Sequence, residues 1–498
     1  MTPTPSDPPV VVIGAGTAGL GAALALSRDG HRVLVLERDA TPLPATADEA
    51  FGWDRPGAPQ VRHSHAFLAL LRNLLRDDYP DLLAALLDAG ATELRFCDDM
   101  PPDIDDPSPK PGDEDLVALA CRRTTFEWVL RRKVLESPLV ELHDGTAVAG
   151  LEWATGPEGL PLAVGVRLTA PDRRARGETT LPAAFVVVAN GRRATVPEWF
   201  AEGGATVDEE TQDTGIVYFS RFYRLRDTRP WPADATPVAG DLGYLKYAVF
   251  PGDNGTYSVT LACATSDRPL RSQLAAPAGF VAAAGAVPLT EPWVDEAAAD
   301  PMTPVHAMAG LVTRRRDFLR SGRPVALGAH AVGDAHTCTN PLYGRGCALG
   351  MRQASLLAAA VRDHPDDALA RATAYEEASE RHIAPWWRAA VAQDRHSRDS
   401  HDDTRDAPQD APGSSDDTLD PRDFLRSLLR EGLMPAVRTD AVVYRAFVRS
   451  LNLLTPPDAV ISDPDVVGRV MAVWERRDER EEEPPLGPSR EEMVARLS

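Results

Sequence analysis

The chain has 498 residues, 43% of them hydrophobic, and sets 53 basic against 74 acidic side chains for a net charge of −21. Such an acidic excess argues against nucleic acid or an anionic membrane surface as a partner. Five cysteines without a CxxC pair point to a reduced, cytoplasmic protein with neither a disulfide framework nor a metal site, and no unbroken apolar run of about 20 residues announces a transmembrane span.

Val10 to Ile13 is an apolar β-type run that breaks into Gly14-Ala15-Gly16-Thr17-Ala18-Gly19. Small apolar residues at helical spacing follow from Leu20 to Leu26, Gly30 stops that helix, and a second strand from Arg32 to Leu36 ends on Glu37. Strand, glycine turn, helix, strand and acid in this register are the dinucleotide fingerprint. Gly14 permits the turn, Gly16 lets the backbone approach a pyrophosphate, and Gly19 lets helix and strand pack closely. The helix N-terminus offers N–H groups to phosphates, and Glu37 is placed to accept from ribose hydroxyls.

Further along, Arg62-His63-Ser64-His65 leads into a helix with apolar Phe67, Leu70, Leu71, Leu74 and Leu75, and a second helix from Pro80 to Ala89 ends at Gly90. Pro101 to Asp115 reads as an excursion loop. Arg122 to Leu135 is a basic amphipathic helix. Val140–His143, Ala147–Trp153, Val164–Leu168 and Phe185–Ala189 read as strands. From Val207 to Ala264 the pattern alternates, with Asp253-Asn254-Gly255 as a hairpin turn, so an antiparallel sheet is expected. Val325–Leu327 is a further short strand, followed by a loop and helical sequence to about Arg395. His396 to Asp420 has almost nothing apolar and reads as a disordered linker. Phe424–Ser450 and Pro464–Arg477 are helical, and the charged tail after Asp478 is expected to fray.

A second motif joins Gly333-Asp334 to Pro341-Leu342-Tyr343-Gly344-Arg345-Gly346. An acid at a strand end can bind the hydroxyls of a polyol chain, and glycines opening a helix can set N–H groups against an anion. That combination suits a flavin.

With both motifs in this order, the chain resembles the FAD-dependent monooxygenases of the para-hydroxybenzoate hydroxylase type, the class A flavoprotein hydroxylases, and among them the squalene-epoxidase-like oxidoreductases, over roughly residues 10–395. The resemblance implies that Gly14, Gly16 and Gly19 hold the FAD pyrophosphate and that Glu37, with Arg38 beside it, holds the ribose. It implies that Arg123, in an R-x-x-x-E setting with Glu127, approaches the ribityl-phosphate region, that Asp334 binds the ribityl chain, and that Pro341, Gly344 and Gly346 lie beside the isoalloxazine. The loop of Arg62 to His65 comes to the flavin edge in this fold. Arg62 is therefore expected on the cofactor, and His63 and His65, with Tyr343, are candidate acid–base residues. The family's middle Asp-Gly motif stands here as Asn190-Gly191, which puts pyridine-nucleotide handling in question.

The expected architecture is α/β: a Rossmann-type FAD-binding domain with an antiparallel-sheet substrate domain and a helical C-terminal part. FAD-binding segments are expected at residues 10–75, 116–205 and 321–395, with the last including a long helix. An excursion occupies 76–115, the substrate domain 206–320, a disordered linker 396–420 and a helical segment 421–498. The implied activity is insertion of one oxygen atom from O2 into a small organic substrate, by hydroxylation or epoxidation in secondary metabolism. Electrons would come from NAD(P)H or reduced flavin, including from a separate reductase. A prenyl or alkene reductase, a flavin halogenase and a non-catalytic flavin-binding protein are the competing readings. A halogenase needs a lysine near the flavin, and the chain has only Lys110, Lys133 and Lys246.

Overall fold

Buried β-branched residues and small helical residues build the N-terminal unit of the computed structural model, which describes residues 8–169, 179–226, 238–406, 421–480 and 486–497. Val10–Ile13 (β1) is buried throughout and turns at Gly14, φ +100°, into Thr17–Arg28 (α1), and Val33–Leu36 (β2) returns parallel to β1. Ala69–Asp78 (α2), Pro80–Asp88 (α3), with proline at its start, and Arg123–Leu135 (α4) pack into the same core as α1. Val140–His143 (β3) and Val186–Val188 (β4) extend the sheet.

Ile216–Leu225 (β5), Leu245–Pro251 (β6) and Thr256–Ala264 (β7) form an antiparallel sheet, in the order β6-β7-β5, with aromatic cross-strand pairs such as Tyr223 with Tyr257. The short strand His306–Met308 pairs with β5. Val312–Asp317 (β8) leads back to Ala329–Ala331 (β9), which joins the parallel sheet beside β4. The strand order there is β9-β4-β1-β2-β3, all parallel. The glycine turn after β1 and the Gly333-Asp334 turn after β9 thus emerge at the same carboxyl edge, where ligands of open α/β sheets bind. Gly346–Asp363 (α5) packs on α1, and Ala368–His382 (α6) and Ala384–Asp406 (α7) follow.

Several boundaries differ from the sequence reading. The helix after His65 starts at Ala69, because Phe67 is held in a β-bridge to Leu119. The strand expected at Val325–Leu327 forms at Ala329–Ala331, and Leu327 bridges Leu162 instead. Asp208–Asp213 pairs with β8 in a separate sheet. The expected linker is helical as far as Asp406, the end of α7, where Arg398 donates to Asp213 O at 2.7 Å; residues 407–420 lie outside the described residues. Ala441–Leu451 (α8) and Pro464–Glu475 (α9) confirm the C-terminal helices, with Tyr444 and Val448 covering Ile104 of the excursion and Leu116 just after it. The tail does not end in coil: Arg490–Leu497 (α10) buries Met493 completely against the antiparallel-sheet core.

Candidate functional site

The two turns at the carboxyl edge of the parallel sheet face one cavity, and the antiparallel sheet supplies its opposite wall. Gly16, Arg123, Asp334, Pro341, Gly344 and Gly346 line it on the parallel-sheet side, with Thr17, His65 and Cys347. Tyr218, Met308, Leu311 and Val312 line it from the other side, with Arg192, Cys338 and Thr339.

The glycine turn separates two constraints. A Cβ on Gly19 would lie 1.9 Å from Gly14 O, so Gly19 is required by the protein's own packing. A Cβ on Gly16 would meet nothing within 4 Å, at a backbone angle of −84° that any residue adopts. The open space above Gly16 is therefore a cradle that a side chain would fill, beside the N-terminus of α1.

Glu127 organises the floor. It is fully buried and takes 2.7 Å and 2.9 Å hydrogen bonds from Arg123 Nε and Arg55 Nη1, with a weaker one from Thr17 Oγ1 at 3.3 Å. Burial raises its carboxyl pKa, but the two guanidinium groups outweigh that and hold it below the ordinary value, so it is ionised. Arg55 stacks on Trp53 at 4.7 Å and also donates to Ala15 O at 3.1 Å. Glu37 accepts from Ala15 N at 2.8 Å and Asp39 N at 3.0 Å, and lies 3.5 Å from Arg55.

Asp334 lines the cavity and receives no hydrogen bond among the described residues. Burial raises its pKa, against the opposing charges of Arg123, Arg192 and Arg314. A carboxylate kept at a cavity wall without a donor is suited to hydroxyls brought by a ligand. The loop after it is braced from behind. Asp394 of α7 accepts from Asn340 Nδ2 and Thr313 Oγ1, each at 2.7 Å, and Arg345 donates to Gln393 Oε1 at 2.8 Å.

The histidines are placed differently. His65 Nδ1 donates to His63 O at 2.9 Å, and its Nε2 accepts from Arg123 Nη1 at 3.2 Å. Burial, then Arg123, pushes its pKa well below the ordinary value. Its acceptor is thus engaged and it stays neutral. His63 does not line the cavity; it turns into the antiparallel sheet, with Nδ1 3.4 Å from Ser220 Oγ and its ring edge-on to Tyr218. Burial, then His306 and Arg192, lowers it to about 3. Arg62 is exposed and paired with Asp54 at 3.0 Å, Arg38 is exposed, and Tyr343 packs under Arg345 at 4.9 Å; none of the three reaches the cavity wall. Arg55 and Thr339 had no motif to announce them, whereas Arg192 directly follows the Asn190-Gly191 motif and Tyr218 belongs to an aromatic alternation, Tyr218, Phe219, Phe222 and Tyr223, in the expected antiparallel sheet.

Residues 9–100 match the family model described as FAD dependent oxidoreductase. The flavin-containing monooxygenase FMO GS-OX4 of Arabidopsis thaliana is 42% identical over 86 residues, 16% of this chain and 18% of that protein. PqsL of Pseudomonas aeruginosa, a probable FAD-dependent monooxygenase, superposes with a TM-score of 0.57 at 16% identity, covering 80% of this chain and 98% of PqsL. The fold is that of the FAD-dependent oxidoreductases. Within this fold, the anhydrotetracycline hydroxylase OxyS of Streptomyces rimosus gives a TM-score of 0.54 at 22% identity over 89% of this chain and 75% of its own. The flavin-dependent brominase Bmp2 gives 0.57 at 15% over 95% and 99%. The chain spans less than a fifth of FMO GS-OX4, 18%. The cradle over Gly16 and the undonated Asp334 carboxylate fit FAD.

Proposed function

We propose that this chain is an FAD-dependent monooxygenase that inserts one oxygen atom of O2 into a small organic substrate. The observation that carries the reading is the shared cavity. The glycine turn and the Gly333-Asp334 loop open on one side of it, and an aromatic and aliphatic sheet wall closes the other. FAD would lie with its pyrophosphate over Gly16 and the N-terminus of α1, its ribityl hydroxyls at Asp334 and its ring beside Pro341, Gly344 and Gly346. Bound there, FAD supplies the activation of O2 and the oxygen transfer. Arg123, fixed by Glu127, adds positive charge at the cavity wall, and the N-terminus of α5, where Gly346 lines the cavity, would offer its N–H groups to the bound ring. Tyr218, Met308 and Leu311 orient the substrate and exclude water. His65 stays neutral and serves as a fixed acceptor for Arg123 rather than as an acid.

Lys110 bonds Asp106, Lys246 pairs with Asp241, and none of the three lysines of the chain lines the cavity. That supports oxygen transfer over halogenation. Asn190 replaces the acid of the middle motif, and its Oδ1 is buried without a partner. Electrons from NAD(P)H or from a separate reductase both fit this reading, with the protein working in the cytoplasm. Among the described residues no helix is long and apolar enough to cross a membrane.

The test is a turnover of FAD-loaded protein with reductant, candidate phenols and alkenes, and isotopically labelled O2. Product should carry one labelled oxygen, and added bromide or chloride should stay out of it. Equal product without O2 would favour a reductase, and halide in the product a halogenase.

A further inference from the structure

Behind the cavity, one buried carboxylate joins three elements. Asp394 of α7 is 2% exposed. Its Oδ1 accepts from Asn340 Nδ2 and its Oδ2 from Thr313 Oγ1, each at 2.7 Å, and the Tyr343 hydroxyl lies 3.5 Å from Oδ1. Thr313 belongs to β8 and follows Val312, which lines the cavity. Asn340 opens the loop whose Pro341, Gly344 and Gly346 line it. Asn340 is buried and works on both sides. Its Oδ1 accepts from Leu342 N at 3.0 Å and so caps the turn Pro341–Tyr343, while its Nδ2 is given to Asp394. Further along the loop, the buried guanidinium of Arg345 is held by α7 as well, at Gln393 Oε1 and Trp386 O, and feels the Asp394 charge. Burial raises the Asp394 carboxyl, and the hydrogen bonds from Asn340 and Thr313, with the charge of Arg398, work against that.

Packing alone does not call for an acid here. An asparagine at 394 could make the same bonds, its oxygen accepting from Asn340 and its amide donating to the Thr313 hydroxyl, which can donate or accept. Burying a carboxylate costs more than burying an amide. What the acid adds is a charge, which acts beyond contact distance. We infer that Asp394 is a positioning residue for the flavin: through Asn340 it fixes the loop of Pro341 to Gly346, and from behind that loop its negative charge opposes reduction of FAD bound in front. Reduction brings negative charge onto the ring, so a fixed carboxylate lowers the reduction potential, while Arg123 and the N-terminus of α5 act with the opposite sign. A lowered potential favours passing electrons on to O2. This rests on the flavin-site reading of the cavity and adds to it the group that sets the balance.

The experiment compares the FAD-loaded protein with Asp394→Asn and with the double variant Asn340→Asp, Asp394→Asn. The single variant keeps the hydrogen bonds and removes the charge. The double variant also keeps them, with the carboxylate now on the loop, accepting from Leu342 N and from the new amide on α7. The flavin midpoint potential is measured by spectroelectrochemical titration against a reference dye, together with FAD content and the denaturation midpoint. FAD content should match the unaltered protein in both. Asp394→Asn should shift the potential upward, raising the ratio of reduced to oxidised FAD at a fixed potential about 10-fold, the size of a unit charge acting through protein rather than by contact. The double variant should return to the unaltered potential or fall below it. A potential that stays or falls in Asp394→Asn, or a double variant that keeps the raised value, would overturn the inference. A lower denaturation midpoint with no change in potential would make Asp394 merely structural and overturn it as well. If Asp394→Asn fails to fold or loses FAD, the double variant decides by the same sign. A protein that binds no FAD would remove both this inference and the flavin reading. The expected shifts in a protein that makes no labelled product from O2 would leave Asp394 its role and remove only the monooxygenase reading.

Discussion

The two walls of the cavity are built in opposite ways. The parallel-sheet wall comes from turns in which backbone does the recognising. Gly14, Gly16 and Gly19 lie within six residues, and Gly333 to Gly346 within fourteen. The sheet-side wall comes from single side chains far apart in the chain, including Tyr218, Met308, Leu311 and Thr339, with Ser64 reaching across from the loop before α2. A backbone cradle tolerates little change because added atoms collide, whereas a side-chain wall can be rebuilt one residue at a time. The first suits an invariant cofactor and the second a variable substrate.

Two valine substitutions in one turn test the first half of that contrast and should give the largest effects. Gly19→Val should prevent folding, because its Cβ would sit 1.9 Å from Gly14 O. Gly16→Val should fold, since nothing lies within 4 Å of its Cβ, yet the protein should purify without FAD. Soluble yield, circular dichroism and flavin absorbance separate the outcomes. Flavin retained by Gly16→Val would show that the open space is not the phosphate cradle.

Next in size is the floor beneath that wall. Arg55→Met leaves Glu127, which is 0% exposed, with Arg123 as its only guanidinium partner. Breaking a buried pair from one side costs about 3–5 kcal/mol. A chemical-denaturation midpoint that stays put would mean that Arg123 alone satisfies the carboxylate. The Glu127 ion pairs favour the ionised carboxylate, so acid should weaken the floor. Its folded pKa is depressed, and the stability it contributes is lost as pH falls through that value.

How much could be read from the chain follows from the same division. The β1–α1–β2 unit, the Gly333-Asp334 turn and Arg123 with Glu127 were legible because their chemistry is local: each is a short pattern with a fixed register. The parallel sheet's order was not, since β9 reaches β4 across about 140 residues of chain. Thr339 carries no pattern, and its buried, unpartnered hydroxyl shows only in the packing. His63 and His65 differ by two positions, yet His63 packs against Ser220 and Tyr218 of the sheet while His65 faces the cavity and meets Arg123, a difference set by tertiary partners that no local pattern carries. Arg62, at the end of a short helical turn, pairs with Asp54 at the surface instead of reaching the cavity.

His63 offers a medium-sized test of the sheet-side wall. Burial lowers its pKa to about 3, against an ordinary 6.5. Between those values the unfolded chain holds the proton and the folded protein does not, so stability rises with pH across that window and falls as the solution is acidified from 6.5. At pH 5 the cost is about 2 kcal/mol, from roughly 1.4 kcal/mol per unit. His63→Asn should lose less stability than the unaltered protein between pH 7.5 and 5, measured by denaturant unfolding with FAD bound. Other buried histidines such as His330, also lowered to about 3, contribute to both proteins alike. Identical slopes would mean that His63 is more accessible to protons than its packing against Ser220 and Tyr218 implies.

The smallest expected effect probes the seam between the walls. Thr260 Oγ1 lies 2.6 Å from Ser64 Oγ and 3.0 Å from Ser220 Oγ, and Ser220 in turn approaches His63. This hydroxyl chain ties the loop of Arg62 to His65 to the antiparallel sheet. Thr260→Val keeps the shape of a buried strand residue and removes the shared hydroxyl. Ser220 retains His63, and Ser64, half-buried at the cavity, regains a partner from water, so the net loss should be about 1 kcal/mol. FAD content should not change, because no backbone of the glycine turns is touched. The effect should instead appear as weaker binding of ligands at the sheet-side wall, since Ser64 is one of its lining residues. If Thr260→Val released FAD while leaving those ligands untouched, the seam would belong to the cofactor wall, and the division between a backbone cradle and a side-chain wall would have to be redrawn at Ser64.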